Sequence, residues 1–169
     1  MNVRNEHKET EKYPEYSYRT FLIILMVCFL MVGCFKQTEV DTLLSAPEKI
    51  EINGRKYVLE TYLWRDFQPI CPPDGEPLYG IIWVVAVDSQ AFPDSVYANC
   101  VWVINGHDVW ETSPTELVIC NNKFEGCLHS GPKWGPNIYV DVVVRIIDSA
   151  RNQEYLLRAS NQYIQMTCK

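Results

Sequence analysis

The chain has 169 residues, with 15 Lys and Arg against 21 Asp and Glu, for a net charge of −6 at pH 7. An acidic chain with no basic stripe repels phosphate backbones and has no means of releasing their counterions, which argues against nucleic-acid binding. Hydrophobic residues make up 47% of the sequence, enough for one buried core, and no internal repeat or low-complexity block interrupts it.

The first distinctive segment is the uncharged run Phe21-Leu-Ile-Ile-Leu-Met-Val-Cys-Phe-Leu-Met-Val-Gly-Cys34, followed by Phe35. At a rise of ~1.5 Å per residue such a helix reaches only about 22 Å, short of a bilayer core of ~30 Å. A signal-peptide apolar region of roughly 7–15 residues fits better, with Arg19 as its positive flank. The ending Leu30-Met31-Val32-Gly33-Cys34 resembles the lipobox of bacterial lipoproteins, in which small residues precede the cysteine that is lipidated and becomes the new N-terminus. The resemblance implies that Cys34 carries the lipid and holds the protein to the membrane of the cell envelope on its exported side. Because Phe35 rather than Asp follows the cysteine, it also implies the outer membrane if the host is Gram-negative. An uncleaved anchor and a soluble cleaved product are the alternatives. The leader is long, and Arg4, Lys8, Lys12 and Arg19 are balanced by Glu6, Glu9, Glu11 and Glu15, so the mature part keeps the whole net charge.

This reading divides the chain into a signal peptide over residues 1–33, a lipidated cysteine with a short polar tether over 34–46, and one domain over 47–169. Setting aside Cys28 and Cys34, five cysteines remain, an odd number that allows at most two disulfides. The turn-rich interval between Cys120 and Cys127 makes that pair the candidate disulfide. Cys71 has Cys100 or Cys168 as an alternative partner.

From Lys49 onward, short runs of Val, Ile, Tyr and Trp alternate with Asn, Gly, Pro and Asp, the pattern of strands and turns. Lys49 to Ile52, Asn53-Gly54 and Lys56 to Trp64 read as a hairpin, because Asn-Gly accepts the positive φ of a primed turn. The second arm, with one charge across its two faces, is expected to be covered on both. Gln68 to Pro77 is a loop, Leu78 to Val87 a strand buried on both faces, and Tyr97 to Ile104 another strand that turns at Asn105-Gly106-His107-Asp108 into Val109 to Glu111. Glu116 to Cys120 is short, Ile138 to Ile147 pairs with Glu154 to Ala159, and Gln162 to Cys168 adds a last strand or tail. Seven or eight such strands predict an all-β, antiparallel β-sandwich with Greek-key connections. The pattern resembles the immunoglobulin-like superfold. Cys71 lies in a proline-rich loop rather than a strand, so the disulfide-and-tryptophan core of antibody domains is not expected.

No Gly-x-Ser-x-Gly, His-Glu-x-x-His, P-loop or dinucleotide glycine pattern occurs, so neither an enzyme nor a cofactor is expected. Cys120, Cys127 and His129, or Cys100 and His107, fit no standard zinc spacing, which leaves a metal carrier as a minor reading. Three polar-aromatic segments form the candidate binding surface: Trp64, Arg65 and Asp66; His107 and Trp110; and Trp134. Aromatic and Arg side chains of this kind anchor protein contacts, and Trp rings also stack on sugars. The expectation is a membrane-anchored, non-catalytic binding or structural module whose partner is another envelope protein, with a carbohydrate-binding module as the alternative.

Overall fold

The computed structural model describes residues 39–168; the apolar run, its lipobox-like end and Cys34 lie outside the described residues. Among the described residues there are nine strands, β1 (Ile50–Ile52), β2 (Arg55–Asp66), β3 (Leu78–Ala86), β4 (Val96–Asn105), β5 (Asp108–Thr112), β6 (Thr115–Cys120), β7 (Lys123–Gly131), β8 (Tyr139–Asp148) and β9 (Gln153–Thr167). They form a mixed sheet in the order β5-β4-β8-β9-β2-β3-β7-β6, with β1 paired to β2 off this path, and the sheet curls into a half-barrel.

The predicted hairpin is present. Asn53 and Gly54 take φ of 55° and 79°, and Ile52 pairs with Arg55 across the two-residue turn. The all-β expectation holds, but the arrangement is not wholly antiparallel. β2 and β9 run parallel, Leu63 opposite Ile164 through Asp66 opposite Thr167. From Gln153 to Tyr163 β9 is antiparallel to β8, and one extra residue on β9 between the Val140–Gln162 and Val142–Ala159 pairs marks a bulge. Asn161 in this stretch has φ of 52°. A bulge bends its strand, and here it lets one strand leave β8 for β2.

Curling buries the concave side in one apolar cluster. Tyr57, Leu59 and Leu63 of β2 and Leu78, Ile82 and Val84 of β3 meet Val101 and Val103 of β4, Val142 and Val144 of β8, Leu157 and Ile164 of β9, and Phe124 and Leu128 of β7. Tyr57 meets Phe92 edge to face at 5.5 Å. Alternation along each strand sets this up, because residues i and i+2 share a face.

The convex side of β2 and β3 departs from the expected double burial. On β2, Glu60 is exposed and Tyr62 is 36% exposed, while Tyr79, Ile81 and Trp83 of β3 are half-buried. The tether also differs from expectation over residues 39–46. Residues 39–44 are helical, and Val40, Leu43 and Ala46 are buried against Ile104 and Val143 with Trp102 and Leu156 packed around them. The i, i+3 spacing of Val40 and Leu43 places both on one helical face, and that stripe covers the outer side of β4 and β8.

β7 is the strand that the sequence pattern concealed. Phe124, Gly126 and Leu128 point inward while Lys123, Glu125, Cys127 and His129 alternate outward. With Gly at the middle inward position, the apolar signal of a half-buried strand is reduced to two residues. Gly126 is there because a Cβ would approach Pro114 to 2.8 Å.

Candidate functional site

The structure brings the Arg65 and Trp110 segments against the loop that carries Trp134 and gives most of their residues structural work. Arg65, at the end of β2, is only 3% exposed. Its Nε donates to the Glu76 carbonyl at 2.8 Å, Nη1 to the Gly135 carbonyl at 2.7 Å and the Lys133 carbonyl at 3.2 Å, and Nη2 to the Asp74 carbonyl. Its guanidinium carbon stands 4.9 Å from the centre of the Phe67 ring. Four carbonyls thus satisfy a buried cation, and they come from the two loops 67–77 and 132–138. Asp66 is a turn residue, its Oδ1 accepting from the Gln68 amide at 3.0 Å.

Trp64 lies in a row of rings on the convex side, 5.2 Å from Tyr62 and 5.9 Å from Tyr79, and Tyr79 meets the His129 ring edge-on at 5.9 Å. The Trp64 and Tyr79 planes are only 23° apart. Rings stacked face to face present edges to solvent rather than the open face a sugar needs. Trp110 packs flat over Gly131, where a Cβ would sit 2.6 Å from the indole, and Trp134 packs on the main core. His107 is exposed in the β4–β5 turn.

All five cysteines from Cys71 to Cys168 are free thiols. The proposed Cys120–Cys127 bridge is not formed, because β6 and β7 are a hairpin in which Cys120 pairs with Lys123 and Cys127 with Thr115. Four residues of strand, about 13 Å, separate the two positions along β7, well beyond the ~4.4–6.8 Å Cα separation of a disulfide. The turn predicted between them exists, at Asn121-Asn122.

Cys100 is buried, and burial with the nearby Glu111 carboxylate pushes its thiol up to about 11 from 9.0. A raised value in the folded state contributes stability that is complete below the unfolded thiol value and is lost as pH rises from 9 towards 11. In native protein at pH 8, iodoacetamide is expected to modify the exposed Cys120 and Cys168 readily and to reach Cys100 only after unfolding, as read by peptide mass spectrometry. Equal rates at Cys100 and Cys120 would contradict this placement.

Two features of the convex surface were not legible in sequence. The first is a meeting of Glu116, Cys127 and His129, whose ligand atoms all lie within 4.8 Å of one another. Cys127 and His129 share the outward face of β7, and an extra residue on β6 between Thr115 and Val118 makes a bulge there. Glu116 sits in that bulge with φ of 52° and reaches His129 Nε2 at 3.5 Å. Burial raises the Cys127 thiol, and the Glu116 charge raises it further. Sequence spacing had grouped Cys127 and His129 with Cys120, whereas the bulge substitutes Glu116.

The second is β6 itself. It stands at the end of the sheet, all six of its residues are exposed, and Leu117, Val118 and Ile119 are 51%, 51% and 43% exposed. An edge strand with unpaired backbone groups and apolar side chains is a template for another strand. Comparison of the chain with family models, with curated proteins and with solved structures finds no match.

Proposed function

We propose that this protein is an exported lipoprotein of the cell envelope, anchored through lipid on Cys34, whose immunoglobulin-like β-sandwich binds an extended segment of another envelope protein along β6. The anchor rests on the lipobox-like Met31-Val32-Gly33-Cys34. Among the described residues no helix is long and apolar enough to cross a membrane.

The order of strands supports the immunoglobulin-like assignment. In that fold strands A, B, E and D form one layer and C, F and G the other, with C′ added beside C in variable-type domains. Lettering β2, β3, β4, β5, β6, β7, β8 and β9 as A, B, C, C′, D, E, F and G turns the observed path into C′-C-F-G-A-B-E-D. Trp102 on β4 faces outward under the 39–44 helix rather than into the main core, which separates this domain from the antibody type.

The open β6 edge carries the binding reading. Strand addition draws affinity from backbone hydrogen bonds and specificity from alternate side chains, and Leu117-Val118-Ile119 supplies an apolar row on an unpaired edge. A photo-crosslinking residue at Ile119 is expected to trap a partner of fixed mass in intact cells, and Val118→Lys to abolish that product. The same residue at Val109, on the opposite edge strand, should trap none. A product at twice the chain's own mass would replace the envelope partner with a second copy, and equal trapping at Val109 would overturn the site. In fractionation, Cys34→Ser is expected to release the chain from membranes, and unchanged fractionation would remove the lipid anchor from this reading.

A further inference from the structure

We propose that Glu116, Cys127 and His129 bind a zinc-type divalent metal ion on the convex face of β6 and β7, with the fourth coordination position taken by water. The three residues are of the types zinc prefers, a thiolate, an imidazole and a carboxylate. Around a tetrahedral ion with Zn–N and Zn–O bonds of ~2.0–2.2 Å, a nitrogen and an oxygen ligand lie about 3.4 Å apart. His129 Nε2 and Glu116 Oε1 are already 3.5 Å apart. The Cys127 sulfur lies within 4.8 Å of both, where a tetrahedral site asks for about 3.6 Å, so roughly an ångström of side-chain movement completes the set.

The local charges favour the ion as well. A thiolate and a carboxylate give the site two negative charges when both are ionised, and without a cation each opposes ionisation of the other. A divalent ion compensates both charges and makes the thiol ionise on binding. The strands hold the ligands before any ion arrives. Cys127 and His129 are two residues apart on one strand face, and the Tyr79 ring meets the His129 ring edge-on at 5.9 Å. Glu116 reaches them from a bulge on the neighbouring strand, where its φ of 52° is one that residues other than Gly seldom adopt. Exposure of Glu116 and His129 leaves an entry path and room for water.

The test is a cobalt titration of the reduced, full-length chain. One equivalent of cobalt(II) is expected to give the thiolate charge-transfer band and the intense visible bands of a tetrahedral site. Cys127→Ser should remove the charge-transfer band, and Glu116→Gln or His129→Ala should weaken binding by at least about tenfold, since loss of even an outer-shell partner costs that much. Cys120→Ser should bind as the unaltered chain does. Persistence of the band in Cys127→Ser, or its loss in Cys120→Ser, would overturn the assignment. A readout free of substitution is alkylation of the unaltered chain, in which equimolar zinc should protect Cys127 and leave Cys120 reactive. Equal modification of Cys127 with and without zinc would refute the site.

Discussion

Replacing Arg65 with alanine is expected to lower the unfolding free energy by about 3–5 kcal/mol, the combined cost of several charge-assisted hydrogen bonds made by a buried guanidinium. The guanidinium serves the carbonyls of Asp74, Glu76, Lys133 and Gly135 at once. Without it these oxygens lose their donor in a part of the molecule where the side chain itself was 3% exposed. A shift of the guanidinium chloride midpoint measures the effect. Arg65→Lys is expected to recover only part of it, because an ammonium cannot span four acceptors in the plane of a fork. A midpoint for Arg65→Ala within experimental error of the unaltered chain would show that the two loops hold together without the hub. Any binding defect in this variant would report on fold rather than on contact with a partner.

Ile164→Ala is the second large effect, expected to cost about 2–5 kcal/mol, as for other fully buried aliphatic side chains cut to alanine. Ile164 is 0% exposed and stands opposite Leu63 where β9 changes partner from β8 to β2. Its amide donates to the Ile138 carbonyl at 3.0 Å, and its carbonyl accepts from the Asn137 amide at 2.9 Å. The truncation keeps these backbone bonds and removes only packing, so the loss measures the cavity. Ile164→Val should cost about 0.5–1.5 kcal/mol. If alanine and valine gave equal midpoints in denaturant, the packing at this junction would be looser than the structure shows.

Local signals predicted local structure well. Asn53-Gly54 marked the first hairpin, and Leu78 to Val87 and Ile138 to Ile147 marked two central strands within a residue or two of β3 and β8. What escaped depends on pairs far apart in the chain. The parallel contact between β2 and β9 joins Leu63 to Ile164, and no property of either segment alone selects that partner. Arg65 looked like an exposed anchor because its neighbours Trp64 and Asp66 are polar-aromatic, and nothing local announces four carbonyls arriving from two other loops. Residues 39–46 carry Val40, Leu43 and Ala46 at helical spacing among Glu39, Asp41, Thr42 and Ser45, a stripe too short to stand out from a polar tether. Glu116 escaped for a different reason. It lies eleven residues before Cys127, and only the added residue in β6 turns it towards Cys127 and His129.

Because β9 pairs with both β8 and β2, neither half of the sheet is complete while Gln153 to Thr167 is still being synthesised. The β2–β9 pairing, between segments far apart in sequence, requires a large loop closure before any contact rewards it, which makes it slow. On the export route proposed above, in which the chain would cross a membrane as an extended polypeptide, the delay is an advantage. A domain that waits for its last strand stays threadable until most of its length has been made, and it closes only once that strand can reach Leu63.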